Sequence, residues 1–339
     1  AVRSRLFGAY RWYKADTMAL RSSSHSQAKR PVRPVGYSPP DGYALDIEVI
    51  PVAELRRRAG NVEQRGFERV DFHCLLHVTA GSYVHVVDFE LLDCKRGSLI
   101  TLQPGQVHHF GDLSGCDGWM LVFRSELLPS RSAGAARVSE IEAMRQLEEL
   151  PAGLSLPTAA QPAVAEAFER MASDSRRPAT SALNELLRRQ LEALIIRLTI
   201  DNSPPNEEAF EPALLQRFRR YRALVEREFS RWHSVSLYAR ELGCSEKSLS
   251  RAAHSVSHCS AKAILTDRIV LEAQRLLALA LLSVATIGYE IGFSEPSNFV
   301  KFFRRETRLT PRAFREQMRA RTQGAESNRR YRHRVAIDG

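Results

Sequence analysis

Side chains that can read or grip a nucleic acid recur at helical spacing near the C-terminus of this chain. We predict that they form the outward face of one helix, in the set Glu295, Ser297, Asn298, Lys301, Arg304 and Arg305. An asparagine amide can pair bidentately with adenine, and two adjacent guanidinium groups can grip phosphates and set the register. The other face of this helix is apolar and can pack inward through Phe299, Phe302 and Phe303.

The residues before this helix predict a shorter helix and a tight turn. Apolar side chains repeat there at spacings of three and four, on the stripe Val284, Ile287 and Ile291. Ser283 is a suitable N-cap, and Gly292 can take the left-handed backbone conformation where the first helix must stop. We expect Ser294 to cap the second helix, with Pro296 in its first turn. The pattern indicates a helix-turn-helix whose second helix could enter a major groove.

The same unit occurs twice, because Ser234–Ser245 matches Ser283–Ser294 at an offset of 49 residues. Ala261–Leu282 lies between the two copies and predicts one long helix that fixes their separation. Two recognition helices held in this way could enter successive major-groove turns about 34 Å apart. In the first copy the predicted DNA-facing residues are Glu246, Lys247, Ser250 and Arg251. Their side chains could donate to guanine or accept from cytosine.

The charge distribution agrees with a polyanionic partner for the C-terminal part alone. The net charge of the chain is +10, with +9 over residues 217–319 but −5 over 41–130 and −4 over 131–216. A basic folded module suits double-stranded DNA, whereas an acidic one suits neither DNA nor an anionic membrane. The five scattered cysteines contain no C-x-x-C pair, which favours a reducing cytoplasm over a disulfide framework or structural zinc. No apolar run approaches the roughly 20 residues that span a bilayer.

Residues 41–130 alternate short apolar strands with turn signals, which predicts a small antiparallel barrel or sandwich. In Val70–Val78 the alternation puts His73 and His77 on the face opposite Cys74 and Leu76. We expect a turn at Ala80-Gly81, before the next strand.

The segment Gly97–His108 resembles the second motif of the cupin fold. Metal cupins combine the histidine of this motif with two histidines and a glutamate of the first motif. Here the first motif has the single histidine His85, followed by Glu90, where a metal cupin has H-x-H. A metal needs about three or four converging ligands, so we predict neither a metal nor a cofactor. The imidazoles are then satisfied interior groups or polar lining, and we hypothesise that the barrel binds a small organic effector. The candidate effector-binding residues are His73, His77, His85, His108 and Trp119.

Residues 131–200 predict helices that follow the barrel, and the last of them carries a leucine stripe. The stripe comprises Leu183, Leu186 or Leu187, Leu191, Leu194 and Leu198. It could pack on the barrel or form a self-complementary dimer face, and we favour the dimer. Residues 201–212 predict a linker, and 1–40 and 321–339 predict basic tails. The first tail is expected to be disordered; a transit peptide and a true start at Met18 stay open as alternatives.

The C-terminal region closely resembles the AraC/XylS family of bacterial transcription regulators over about 100 residues. The resemblance is carried by Arg268…Glu272-Ala-Gln-Arg-Leu-Leu277, by Ile287–Ser294 and by the later runs Asn298-Phe299…Phe302-Phe303-Arg304 and Thr310-Pro311…Phe314-Arg315. The N-terminal half is similar to the family's cupin-like effector-binding and dimerisation domain. One departure is Gly288, where the family usually has alanine, which would let two helices approach closely or cost helix stability.

The resemblance implies an α+β chain of two domains. A cupin-like β-barrel at 41–130 is followed by dimerisation helices at 131–200, and an all-α domain at 213–320 carries two helix-turn-helix motifs joined by a long helix. The implied function is a cytoplasmic, homodimeric DNA-binding activator that is not an enzyme, binds promoter DNA, contacts RNA polymerase and responds to a small effector. The alternatives are a cupin-type metal enzyme fused to a DNA-binding module, and a ligand-independent regulator controlled by a protein partner.

Overall fold

The computed structural model describes residues 32–40, 42–59, 66–124, 138–202, 211–279 and 282–320. The chain divides into two compact units with a boundary between Pro204 and Pro205. Most of both predicted tails and most of the predicted linker lie outside the described residues. Within the described ranges, no helix is long and apolar enough to cross a membrane.

The N-terminal unit is built on antiparallel strands. They are β1 (Val32–Val35), β2 (Ile47–Pro51), β3 (Phe67–Val70), β4 (Phe72–Val87), β5 (Glu90–Lys95), β6 (Ser98–Leu102), β7 (Val107–Phe110), β8 (Cys116–Arg124) and β9 (Gly153–Ser155). A short helix, α1 (Val52–Ala59), follows β2.

The long strand β4 organises this unit because it pairs with four other strands. Its first half lies between β6 and β8, and its second half lies between β5 and β7. The predicted turn at Ala80-Gly81 is wrong, since the chain continues there as one strand with a bulge between Val78 and Ala80. Gly81 has a φ of 71°, and a Cβ there would lie 1.7 Å from the carbonyl oxygen of Gly115. The turn instead falls at Asp88-Phe89, where both residues have positive φ.

Three helices follow the strands: α2 (Val138–Glu149), α3 (Gln161–Asp174) and α4 (Ser181–Asn202). Phe168 and Met171 of α3 are fully buried in one apolar cluster with the odd-numbered face of β4 and with α4. Of the predicted leucine stripe, all members except Leu186 are buried in this cluster: Leu183, Leu187, Leu191, Leu194 and Leu198. The expectation that this stripe forms a dimer face is therefore wrong, because the sheet and the other helices already cover it.

The C-terminal unit is helical. It contains α5 (Pro212–Glu228), α6 (Val235–Glu241), α7 (Glu246–Ser257), α8 (Ala261–Leu279), α9 (Val284–Glu290) and α10 (Pro296–Thr307), and residues 311–320 are also helical. The predicted connecting helix Ala261–Leu282 corresponds to α8, which the structure describes as far as Leu279.

Buried charges anchor α8 against α5. The Arg268 side chain is 3% exposed; its Nε donates to Glu226 at 2.6 Å and its Nη1 to Glu272 at 3.1 Å. Its guanidinium also lies 3.8 Å from the centre of the Phe229 ring. Arg275 is the largest fully buried side chain and donates to Glu272. The pairs with Glu272 lie within α8, whereas the pair of Arg268 with Glu226 joins α8 to α5. Paired in this way, the charges tolerate burial.

Two adjacent leucines of α4 test the packing of the stripe. Leu187 is fully buried and Leu186 is 41% exposed. We expect Leu187→Ala to destabilise the N-terminal unit by about 2–5 kcal/mol, whereas Leu186→Ala should change its stability by no more than about 0.5 kcal/mol. Urea unfolding followed by hydrogen exchange of the β8 amides measures both. Equal costs would show that the helix is rotated from the position described.

Candidate nucleic-acid interface and effector site

The second helix-turn-helix is formed by α9 and α10. Ser283 caps α9 as predicted, because its hydroxyl accepts from the backbone N–H of Thr286 at 3.0 Å. Gly292 has a φ of 92° in the turn. The prediction that Ser294 caps α10 is wrong: the N-cap is Glu295, with Pro296 at the first helical position.

The two copies match at two different offsets. Up to the turn, the offset is 49 residues, since the N–H of Cys244 donates to Ala239 as that of Phe293 donates to Gly288. After the turn it is 50. Equivalent N-caps are then Ser245 and Glu295, and equivalent left-handed C-caps are His258 and Arg308. Ser294 is therefore the additional residue of the second turn.

This register decides which side chains of the two recognition helices are equivalent. Arg251 corresponds to Lys301, and His254 corresponds to Arg304. Of the predicted DNA-facing residues, all but Ser250 are exposed: Glu246, Lys247, Arg251, Glu295, Ser297, Asn298, Lys301, Arg304 and Arg305. Ser250 is only half-exposed, and its equivalent is Val300.

His254 is a candidate contact residue that the sequence analysis missed. It is exposed and lies three residues after Arg251, on the same helical face. The i, i+3 spacing was a usable signal, but the assumed offset of 49 paired His254 with Phe303 instead of Arg304. An imidazole can donate to a phosphate or to a base edge, so His254 extends the polar stripe of α7.

The basic side chains of α10 differ in how they are held. Arg305 donates to Glu306 at 2.7 Å and lies over the Phe302 ring, so part of its charge is already balanced. Arg304 and Lys301 make no side-chain hydrogen bond or ion pair with any residue in the described ranges. These two are therefore the better placed cations for a phosphate or a base.

Gly288 allows α9 and α10 to pack closely. A Cβ at this position would lie 3.2 Å from the Cβ of Phe299, which is fully buried. The departure from the usual alanine thus accompanies a short approach between α9 and the recognition helix.

The candidate effector residues lie on two faces of the sheet. Before the bulge, the even-numbered residues of β4 face the apolar cluster inside the barrel and the odd-numbered ones face the helices. After the bulge this parity is reversed, so that Tyr83 and His85 face inward. His85 and His108 therefore meet in the interior, whereas the other three candidates are on the helix-facing side: His73, His77 and Trp119.

Tyr83, His85 and His108 form a buried polar chain that ends near Glu68. The Tyr83 hydroxyl lies 2.9 Å from His85 Nδ1, and His85 Nε2 lies 3.3 Å from His108 Nδ1. His108 Nε2 lies 4.0 Å from a Glu68 oxygen. Burial lowers the pKa of His85 well below its ordinary value and that of His108 to about 3. Both rings are neutral at pH 7, so each has one donor and one acceptor nitrogen for the chain.

The helix-facing histidines are packed against aromatic rings. His73 stacks on Phe123 with ring centres 4.9 Å apart, and His77 stacks on Phe168 at 5.8 Å. Trp119 is the cross-strand partner of His77. Burial lowers the pKa of His77. Among the residues the structure describes, no group of three or more His, Cys, Asp or Glu side chains is arranged to hold a metal ion.

The neutral pair His85–His108 predicts a pH dependence of stability. In the unfolded chain both imidazoles bind a proton near pH 6.5, but the folded barrel keeps them neutral well below this pH. The contribution of the two neutral rings to the free energy of unfolding is therefore complete above pH 6.5. It is lost as the pH falls below 6.5, by up to about 1.4 kcal/mol per pH unit for each ring.

We expect His108→Gln to reduce this slope between pH 6.5 and 5, as measured by urea unfolding with hydrogen exchange of β4 and β7. Phe110 contacts both imidazole rings and does not titrate. As a control, Phe110→Leu should lower stability equally at every pH. An unchanged slope in His108→Gln would mean that His108 is charged or exposed in the folded barrel.

Comparison with known proteins gives two family models that match this chain. An AraC-like ligand binding domain matches residues 52–191, and a helix-turn-helix domain matches residues 238–317. No curated protein matches.

Several solved structures are similar to this chain. An AraC-type transcriptional regulator from Chromobacterium violaceum is 22% identical to this chain and has a TM-score of 0.29. The match covers 32% of this chain and 96% of the regulator's chain. ToxT from Vibrio cholerae is 11% identical, covers 74% of this chain and 90% of its own, and has a TM-score of 0.40. The xylose-binding transcription activator XylR is 16% identical over 40% of this chain and 39% of its own, with a TM-score of 0.26.

The two models match one chain in the order ligand-binding domain, then DNA-binding domain. The N-terminal match includes most of the strands and the following helices. The C-terminal match begins within α6 and includes the rest of both helix-turn-helix units. The protein belongs to the AraC/XylS family of DNA-binding transcription regulators.

Proposed function

We propose that the protein activates transcription by binding promoter DNA with both recognition helices, and that a small organic effector in the N-terminal barrel controls this binding. The observation that carries the proposal is the repetition of an exposed polar stripe on α7 and α10, each on a helix with a buried apolar face. A helix of this kind can present its stripe to base edges while its buried side holds it in place.

The residues divide into two roles. Asn298 and Arg251 are exposed, and an amide and a guanidinium can pair bidentately with adenine and guanine, respectively. Arg304 and Arg305 are better suited to phosphates, because they are adjacent cations in the second half of α10. Phosphate contacts set the position of the protein, and base contacts supply its sequence preference.

For the effector, His85 and His108 are the candidates that face the barrel interior. A polar group that entered there could exchange hydrogen bonds with the chain from Tyr83 to His108. Because these groups are buried, a donor or acceptor left without a hydrogen bond costs free energy. A ligand that hydrogen-bonds to the histidines avoids this cost, which favours its binding. Such a ligand changes activity only by its differential affinity for two arrangements of the protein.

Assembly and location complete the proposal. We infer a homodimer that works in the cytoplasm and contacts RNA polymerase, as most of the resembled family does. Support for a second copy comes from the outer face of α4, which exposes Leu186, Ile196 and Ile200. Exposed apolar side chains on one helix are available for contact with a second copy.

Two substitutions test the DNA-binding roles. We expect Arg251→Ala to lose about 1–3 kcal/mol of affinity for a selected site and to relax discrimination at one base position. Arg304→Ala should weaken binding to all sequences alike. It should also reduce the steepness of the plot of log affinity against log salt concentration by about one. Fluorescence anisotropy at several salt concentrations measures both. Unchanged base discrimination in Arg251→Ala would contradict its assignment.

A third substitution tests the effector site. Calorimetric titration of the full chain against a panel of small metabolites should identify a ligand, and His85→Phe should weaken it by about tenfold or more. His254→Gln alters only the DNA-binding unit and should leave the ligand affinity unchanged. Equal affinity in His85→Phe would place the ligand outside the barrel interior.

A further inference from the structure

The loop between α5 and α6 contacts the turn of the second helix-turn-helix. His233 Nε2 lies 2.8 Å from the carbonyl oxygen of Ile291, and since this oxygen can only accept, Nε2 carries the proton. At Gly292 a Cβ would lie 1.9 Å from the carbonyl oxygen of Ser230 and 3.1 Å from His233 Nε2. The second turn therefore lies directly on this loop, and only glycine fits there.

The first turn makes no such contact. Gly243 occupies the equivalent position and also has a positive φ, of 65°. A Cβ at Gly243 would meet nothing within 4 Å. Both glycines satisfy the backbone requirement of the turn, but Gly292 is also required for a close approach to another part of the domain.

The contact continues into the helices on both sides. Lys262 of α8 donates to the carbonyl oxygen of His233 at 3.0 Å. The His233 ring lies 4.7 Å from the ring of Phe293, which in turn contacts Phe299 and Phe302 of α10 at 5.6 and 5.2 Å. The loop that precedes the first helix-turn-helix is thus coupled to the recognition helix of the second.

We propose that Ser230, His233 and Gly292 form an inter-repeat contact that sets the separation and angle of the two recognition helices. His233 and Gly292 would then be positioning residues that determine which spacing between two DNA elements the protein accepts, without touching DNA. The proposal rests on the proposed function in one respect, namely that both recognition helices bind DNA together.

Each helix-turn-helix has its own buried residues, including Leu249 in α7 and Phe299 in α10, so the loss of the contact leaves both units folded. The units would then be joined through α8 with more freedom between them. Added freedom lowers the effective concentration of the second unit at a correctly spaced DNA element, which weakens binding there. It also lets the second unit reach a wrongly spaced element with a smaller loss of affinity.

The test uses full-length protein and duplexes that carry the site selected by the wild type. Further duplexes have 1, 2 or 5 base pairs inserted between the two elements, and one duplex carries a single element. We expect His233→Ala and Gly292→Ala to lose about tenfold in affinity for the duplex with the native spacing, but less than about threefold for the other duplexes. The preference for the native spacing over the others, which we call spacing discrimination, should therefore shrink. His233→Gln retains a donor for Ile291 and should restore most of the discrimination.

Gly243→Ala is the matched control, because it changes the equivalent glycine where nothing is contacted, and its spacing discrimination should match the wild type. If Gly292→Ala does not fold, the two His233 variants carry the test. Unchanged discrimination in His233→Ala would overturn the proposal, and so would an equal loss on every duplex, including the single element. A wild type that is indifferent to spacing would instead contradict the proposed joint binding of both helices.

Discussion

The arrangement of the DNA-binding unit depends on the burial of two guanidinium groups of α8. Arg268 donates to Glu226 of α5 and to Glu272 of α8, and Arg275 donates to Glu272, so both guanidinium groups are paired inside the protein. Burial raises the pKa of the Glu226 carboxyl, and the charge of Arg268 opposes this effect. Rotation of α8 would separate Arg268 from Glu226, so this pair opposes any other orientation of the helix against α5. The two helix-turn-helix units adjoin the ends of α8.

A different constraint shapes the N-terminal unit. The bulge in β4 reverses the side-chain parity of the strand, so that its first histidines face the helices and His85 faces the interior. Without the bulge, His85 and His108 would not meet, and the chain from Tyr83 to His108 would not form. A backbone irregularity therefore creates the interior polar site of an otherwise apolar barrel.

Local chemistry made much of this predictable from sequence. A serine cap, a turn glycine and an apolar stripe each act within a few residues, and Ser283, Gly292 and Phe299 are in the predicted conformations or positions. The repeat was also visible, because it depends on identity between two segments. The family assignment followed from the same residues.

The remaining features depend on contacts between distant segments. Periodicity showed that the leucine stripe of α4 is apolar but could not show whether a sheet or a second copy covers it. A bulge leaves no change in composition, so the sequence pattern predicted a turn at Ala80-Gly81 where β4 continues. By residue type, the additional residue Ser294 is as suitable an N-cap for α10 as Ser245 is for α7. The helix begins at Pro296, however, which makes Glu295 its N-cap.

The central claim is that the two helix-turn-helix units bind DNA as one rigid reader. Repeated selection of binding sites from random duplex DNA by the full-length protein tests it most directly. We expect a motif of two unlike elements whose centres are separated by one fixed distance, near one helical turn of about 10.5 base pairs. Recovery of a single element, or of two elements at variable separations, would contradict it.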